Sequence, residues 1–214
     1  DTLVHWQYGG AYPRYDQETV LEEFTKTGDL LTEFHNFGHV AVSGIELYQS
    51  AEGLGSYAGN LFTTHFNTQK ITRSLVEAAG PTLRHVGEED FLMIDDPDAH
   101  LTDIVEDANG TLLVIDTGGW FRRGCPISQI ETPEIAGAIY RIRKAGAVER
   151  ITDYRGLEID WTGSTPGALA QLLDDKRFAV RNRTIAELAA RGNESLKDLG
   201  KILGHGSLDA RRNA

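Results

Sequence analysis

Cysteine is almost missing from this chain. Cys125 is the only one among 214 residues, which excludes an internal disulfide framework and a zinc site built on several thiolates. Long apolar runs are missing as well. No stretch reaches the ~18 consecutive apolar residues that a membrane-spanning helix needs. Positive charge is in deficit: 21 Lys and Arg stand against 32 Asp and Glu, a formal net charge of −11, with a sequence pI near 5.0. Such a chain lacks the basic face that nucleic acid requires, so nucleic acid is not an expected partner. Small neutral or cationic ligands remain open. HExxH, CxxCH, GxGxxG and Walker patterns are also absent, which removes the common zinc, haem-attachment and nucleotide signatures.

What is present reads as a globular chain, 40% hydrophobic and 25% charged. Up to about residue 160, short strand-like runs alternate with Gly, Asp, Asn and Pro. Candidate strands are Leu30–Phe37, Val42–Tyr48, Asn60–Phe66, Gln69–Val76, Thr82–Val86, Asp103–Glu106, Thr111–Ile115 and Ala138–Arg143. Glu18–Phe24 could form a short helix. Asp107-Ala108-Asn109-Gly110 is a hairpin signal, because Asn and Gly tolerate the positive φ of tight turns. The pattern around it predicts Ile104, Leu112 and Val114 buried and Glu106 exposed.

Near Asp160 the composition turns helical. Thr165 followed by Pro166 is an N-cap with Pro at the first helical position. Leu169, Leu172 and Leu173 share one face, Ile185 and Leu188 share the next, and Gly192 ends the run. Residues 169–184 and 199–214 align at a 30-residue shift, Leu169 with Leu199 and Leu172 with Ile202. That period suggests paired helices of the HEAT type. The start at Asp1-Thr2 and the end inside this incomplete repeat are expected of a piece of a longer protein.

Several groups could carry chemistry. Asp96 and Asp98 fit two positions of a calcium loop, but Pro97 interrupts and no turn glycine follows, so a polar loop is the simpler reading and no metal is expected. His35 and His39 are four apart, yet Gly38 between them favours a strand and turn over a helical metal pair. Cys125 lies beside Arg122 and Arg123, which lower a thiol pKa, but has no matched base in the sequence. His65, Asn67 and Gln69 alternate, as do His100 and Thr102, so each set would lie on one face of a strand. Such residues either line a shared polar cavity or form a solvated sheet face.

Three segments carry a family resemblance: "YAGNLFTTHFNTQKITR" (57–73), "DFLMIDDPDAHLTDIVEDANGTLLVIDTGGWFRRGCPISQI" (90–130) and "GAIYRIRKAGA" (137–147). With "RGLEIDWTGSTPGALAQLLDDKRFAVRNRTIAELAARG" (155–192), they resemble the membrane-bound dehydrogenase family of planctomycete-type bacteria. Those proteins join a glucose/sorbosone dehydrogenase-like β-propeller to HEAT-like repeats, often followed by a c-type haem domain. The resemblance implies a mainly β fold: the C-terminal blades of a six-bladed β-propeller over residues 1–153, then a junction and the first repeats of an α-helical HEAT-like solenoid over 154–214. It implies an exported, periplasmic or extracytoplasmic location.

The implied activity is oxidation of a sugar or polyol, with electrons passed to a haem outside this chain. His65 or His100 would be the general base and Asp103 would orient it. Asn67 and Thr102 fall on cofactor-lining positions. Where the related enzymes hold pyrroloquinoline quinone with Lys and Arg, this chain carries Asn67, His100 and Thr102. The quinone's carboxylates would lose charge-assisted bonds worth roughly 1.5–3 kcal/mol each, so no cofactor is expected within this chain. The alternative is a non-catalytic scaffold that binds a polysaccharide or a protein.

Overall fold

In a computed structural model of the chain, the structure describes residues 1–13, 22–23, 25, 28–51, 53–80, 82–119, 132, 134–146 and 152–214. Nine strands are present among them: β1 (Thr2–Leu3), β2 (His35–Asn36), β3 (Val42–Leu47), β4 (Leu61–His65), β5 (Lys70–Ala79), β6 (Thr82–Met93), β7 (Leu101–Glu106), β8 (Leu112–Asp116) and β9 (Ala138–Ile142). They form three separate sheets, in the orders β1-β2, β3-β4-β5-β6 and β7-β8-β9. Four α-helices follow: α1 (Pro166–Ala170), α2 (Phe178–Arg191), α3 (Leu196–His205) and α4 (Leu208–Asn213). The expected helix at Glu18–Phe24 lies largely outside the described residues, and Cys125 lies outside them altogether.

These findings overturn the propeller-plus-solenoid expectation. Sheets of two, four and three strands, none closed, replace the blades of a six-bladed β-propeller, and no HEAT-like solenoid is seen among the described residues. The reason is physical. Evenly spaced strands and turns are the signature of any antiparallel meander, and nothing in the local pattern specifies closure about an axis. The sequence spacing also missed how far one hairpin runs: β5 and β6 pair over ten and twelve residues respectively.

The 30-residue period fails for a related reason. Leu173 and Phe178 are buried at 0% and 9% exposure, but their counterparts Leu203 and Leu208 are 55% and 66% exposed. Leucines three and four apart mark an amphipathic helix wherever one occurs, so matched spacing does not make matched packing.

The chain divides into two compact units. The first comprises Asp1–Leu47, Gly59–Val105 and Val114–Tyr140, and the second comprises Tyr48–Ala58, Glu106–Leu113 and Arg141–Ala214. In the first, the four-stranded sheet is antiparallel throughout, with Thr63 opposite both Ile45 and Thr72, and Phe62 opposite both Glu46 and Arg73. Side chains of paired residues share a face. One face therefore carries Phe62, Thr64 and Ile71, all fully buried. Gly44 on β3 has no room for a side chain: a Cβ there would come within 2.7 Å of the Asp103 backbone. The absence of a side chain is what lets the two segments approach.

In the second unit, Trp161, Leu169, Ala170, Leu173, Val180, Leu188, Ile202 and Ala210 form the helical core. Thr165 caps α1 through its side chain, which accepts a bond from Ala168 N–H at 3.2 Å, and Pro166 opens the helix. Gly192 ends α2 at φ 56°. Ile185, expected in the interface, is 38% exposed, and Leu172 packs against the core only from its edge. Among the described residues, no helix is long and apolar enough to cross a membrane.

Candidate functional site

Of the five residues expected to act together, four bond to the backbone through their side chains. Strand β4 stops at His65, and the chain turns through Phe66–Gln69, with Gln69 at φ 49°. The 65-67-69 alternation therefore does not continue as one strand face. Asn67 uses its side-chain oxygen to accept from Ala41 N–H at 2.8 Å. His100 directs Nδ1 at the carbonyl oxygen of Gly118, 2.7 Å away. A carbonyl only accepts, so that nitrogen carries the proton and Nε2 is the basic one. Thr102 donates to the Ile115 carbonyl, and Asp103 accepts from the next residue's N–H, Ile104. His65 meets the edge of Phe37, while His100 packs on Phe66. His65, Asn67, His100, Thr102 and Asp103 form no hydrogen bond with one another.

Asp116 is a residue the sequence reading passed over. It is 6% exposed. Its Oδ1 accepts the backbone N–H groups of His100 and Gly118, each at 2.8 Å, and Oδ2 accepts from the Tyr140 hydroxyl at 3.3 Å. This carboxylate fixes the loop that bears His100.

The second face of the four-stranded sheet is different in kind. From the register it carries Thr63, His65, Lys70, Thr72, Ser74, Glu88 and Asp90. Thr63, His65, Thr72 and Ser74 are buried at 0–1% exposure. Thr63 Oγ1 lies 3.4 Å from His65 Nε2. His65 Nδ1, Thr72 Oγ1 and Ser74 Oγ have no hydrogen-bond partner. Each such group, buried and unsatisfied, costs ~1–3 kcal/mol. Burial, with Lys70 adding to it, holds the His65 imidazole below its ordinary value, so the ring is neutral at neutral pH.

At the border of this face stand His35, His85 and Glu88. The two imidazoles stack with centroids 3.9 Å apart and planes 19° from parallel. His35 Nε2 is 2.7 Å from Glu88 Oε2, and His85 Nε2 is 3.9 Å from the same oxygen. Neither Nε2 makes a hydrogen bond: the carboxylate lies off the His35 ring N–H direction, and at 3.9 Å it is out of reach of His85.

Residues 85 and 88 are three apart and would fall on opposite faces of a regular strand. A bulge in β6 prevents this. Val76 pairs with His85 but Leu75 pairs with Gly87, leaving Val86 as the extra residue, and Ser74 then pairs with Glu88. His85 and Glu88 are thereby turned to one face, the kind of re-aiming that bulges perform. Strand periodicity alone could not have found this pair, and Gly87 beside the bulge is the only local signal.

In the second unit the polar groups serve the fold. Glu106, expected exposed, is only 5% exposed. It accepts from the N–H groups of Gln49 and Ser50 at 2.6 and 2.9 Å, which draws it inward against its charge. Burial nevertheless raises its carboxyl above the usual range. Asp107 holds Arg141 and Arg155, with contacts at 2.7 and 2.5 Å.

Comparison with family models, with characterised proteins and with solved structures finds no match. The functional reading therefore rests on the chain's own geometry.

Proposed function

We propose that this chain is a binding module for a saccharide or similar polyhydroxylated ligand, taken up on the polar face of the four-stranded sheet. The observation that carries the reading is the set His65 Nδ1, Thr72 Oγ1 and Ser74 Oγ, buried together on one face without hydrogen-bond partners. Neutral imidazole and hydroxyl groups both accept and donate, which matches the alternating donors and acceptors of a sugar hydroxyl row. A site built to hydrogen-bond hydroxyls discriminates strongly against ligands that lack them. The face is covered where Phe37 meets His65 and His35 meets His85. That cover is held by the two-residue pairing of β1 with β2, the shortest strands among the described residues. Ligand entry would displace it.

Isothermal titration of the full chain against neutral monosaccharides and soluble polysaccharides tests this. Thr72→Val and Ser74→Ala remove the hydroxyls with little change in shape. Weaker binding at unchanged or higher stability supports the reading. Higher stability with no saccharide binding by any form refutes it.

Sugar or polyol oxidation is the second reading, and one observation favours it. The buried, neutral His65 is suited to take a proton from a ligand hydroxyl, with electrons leaving to an acceptor outside this chain. Turnover of a sugar by the full chain with an added electron acceptor, abolished by His65→Gln with saccharide binding retained, would move this reading ahead.

A further inference from the structure

We infer that His35, His85 and Glu88 form a binding site for a divalent transition-metal ion of the zinc class. The three ligand atoms, two imidazole nitrogens and one carboxylate oxygen, all lie within 4.8 Å of one another. Two His and one Glu is a donor set suited to zinc, with a coordination position left for water or ligand.

Ligands bound at ~2.1 Å around a tetrahedral ion stand roughly 3.4 Å apart. The observed separations of 2.7 and 3.9 Å from Glu88 Oε2 bracket that value. An ion drawn between them moves His85 inward and opens the stack, and Glu88, whose side chain is 43% exposed, is free to follow. The two histidine side chains are 17% and 15% exposed, and both Nε2 atoms are sheltered from solvent.

A shared proton is the competing explanation for this cluster, and the geometry argues against it. A proton between His35 and Glu88 would align the ring N–H with the carboxylate. At 2.7 Å the pair is close, yet neither His35 Nε2 nor His85 Nε2 makes a hydrogen bond. Two buried nitrogens without partners, facing one carboxylate oxygen, match the needs of a cation better than those of a proton. The β6 bulge is the second, independent observation. Without it Glu88 would point away from His85, so the bulge, which disrupts the ladder at Val86, is what assembles the ligand set.

The site borders the polar face but does not depend on saccharide binding there. The test is competition titration of Zn²⁺ into the chelator-stripped full chain with a chromophoric indicator, followed by Co²⁺ substitution and absorption spectroscopy. One zinc per chain is expected at micromolar affinity or tighter. His85→Ala and His35→Ala should each weaken it at least tenfold, and Glu88→Gln by less. Should the alanine variants unfold, the wild-type protein still decides: its His35 and His85 imidazole NMR signals must shift on zinc addition. Unshifted His35 and His85 signals, or zinc binding that the His35→Ala/His85→Ala double variant retains, overturns the proposal. Loss of zinc affinity in these variants supports the metal site whatever their saccharide affinity, because His35 and His85 also cover the polar face, and saccharide failure alone does not touch it.

Discussion

Replacing Tyr48 with Phe deletes one oxygen from the second unit, and the structure says what that oxygen does. Tyr48 is fully buried. Its hydroxyl donates to the Gly110 carbonyl at 2.6 Å and accepts from Leu54 N–H at 2.7 Å. It thereby joins the segment after β3 to the hairpin turn that follows Glu106. Burial pushes the phenol up to about 12, so it is a neutral donor at neutral pH.

Water cannot replace the oxygen easily, because the surroundings are closed. A Cβ added to Gly53 would collide with both the Gly110 oxygen and the Tyr48 hydroxyl. The Tyr48→Phe variant therefore leaves a backbone donor and a backbone acceptor unsatisfied. At ~1–3 kcal/mol for each buried, unpaired group, partly relieved by relaxation, the expected loss is about 2–4 kcal/mol. Urea unfolding followed by tryptophan fluorescence, to which the buried Trp161 contributes, measures it, at an unchanged denaturant slope. A loss below ~0.5 kcal/mol would mean that the turn relaxes freely, and the anchoring argument would be wrong.

The helical core gives a second prediction. Leu173, at 0% exposure inside the cluster with Trp161 and Val180, should cost ~2–5 kcal/mol as Leu173→Ala in the same urea assay, whereas the exposed Leu203→Ala should cost little. Glu106 supplies a pH test. Its folded-state carboxyl is raised, so the native chain holds that proton more tightly than the unfolded one, and its contribution to stability grows as pH falls toward the ordinary carboxyl range and is lost as pH rises through the raised value. Stability measured against pH in Glu106→Gln should lack that component, and an identical profile would refute it. His65 acts with the opposite sign: its folded imidazole is depressed, so the stability it contributes is present above about 6.5 and is lost as pH falls through the depressed value. His65→Gln should flatten that acid-side loss in thermal melts taken across the range, and an unchanged acid limb would count against a buried neutral ring.

Local chemistry was legible in the sequence wherever one residue and its neighbours decide the outcome. The Asp107–Gly110 turn forms, with Gly110 N–H reaching Asp107 O at 2.7 Å and Gly110 at φ 76°. Thr165-Pro166 starts a helix, Gly192 stops one, and Ile104, Leu112 and Val114 are buried at 2%, 0% and 1% exposure. Turns, caps and alternation are set within a few residues, so a sequence can specify them. The rest depended on partners far along the chain. A charged Glu106 is expected at the surface because its charge favours water, and it is groups of Gln49 and Ser50, over fifty residues earlier, that draw it inside. Closure of strands into a propeller is a property of how sheets meet, which the alternation of single strands does not encode. The pairing of His85 with Glu88 needed one unpaired residue at Val86, a shift of register against β5 that reverses which side chains share a face. A strand's own residues set its period, but the partner strand decides where that period is broken, and here the break brings the candidate ligands together.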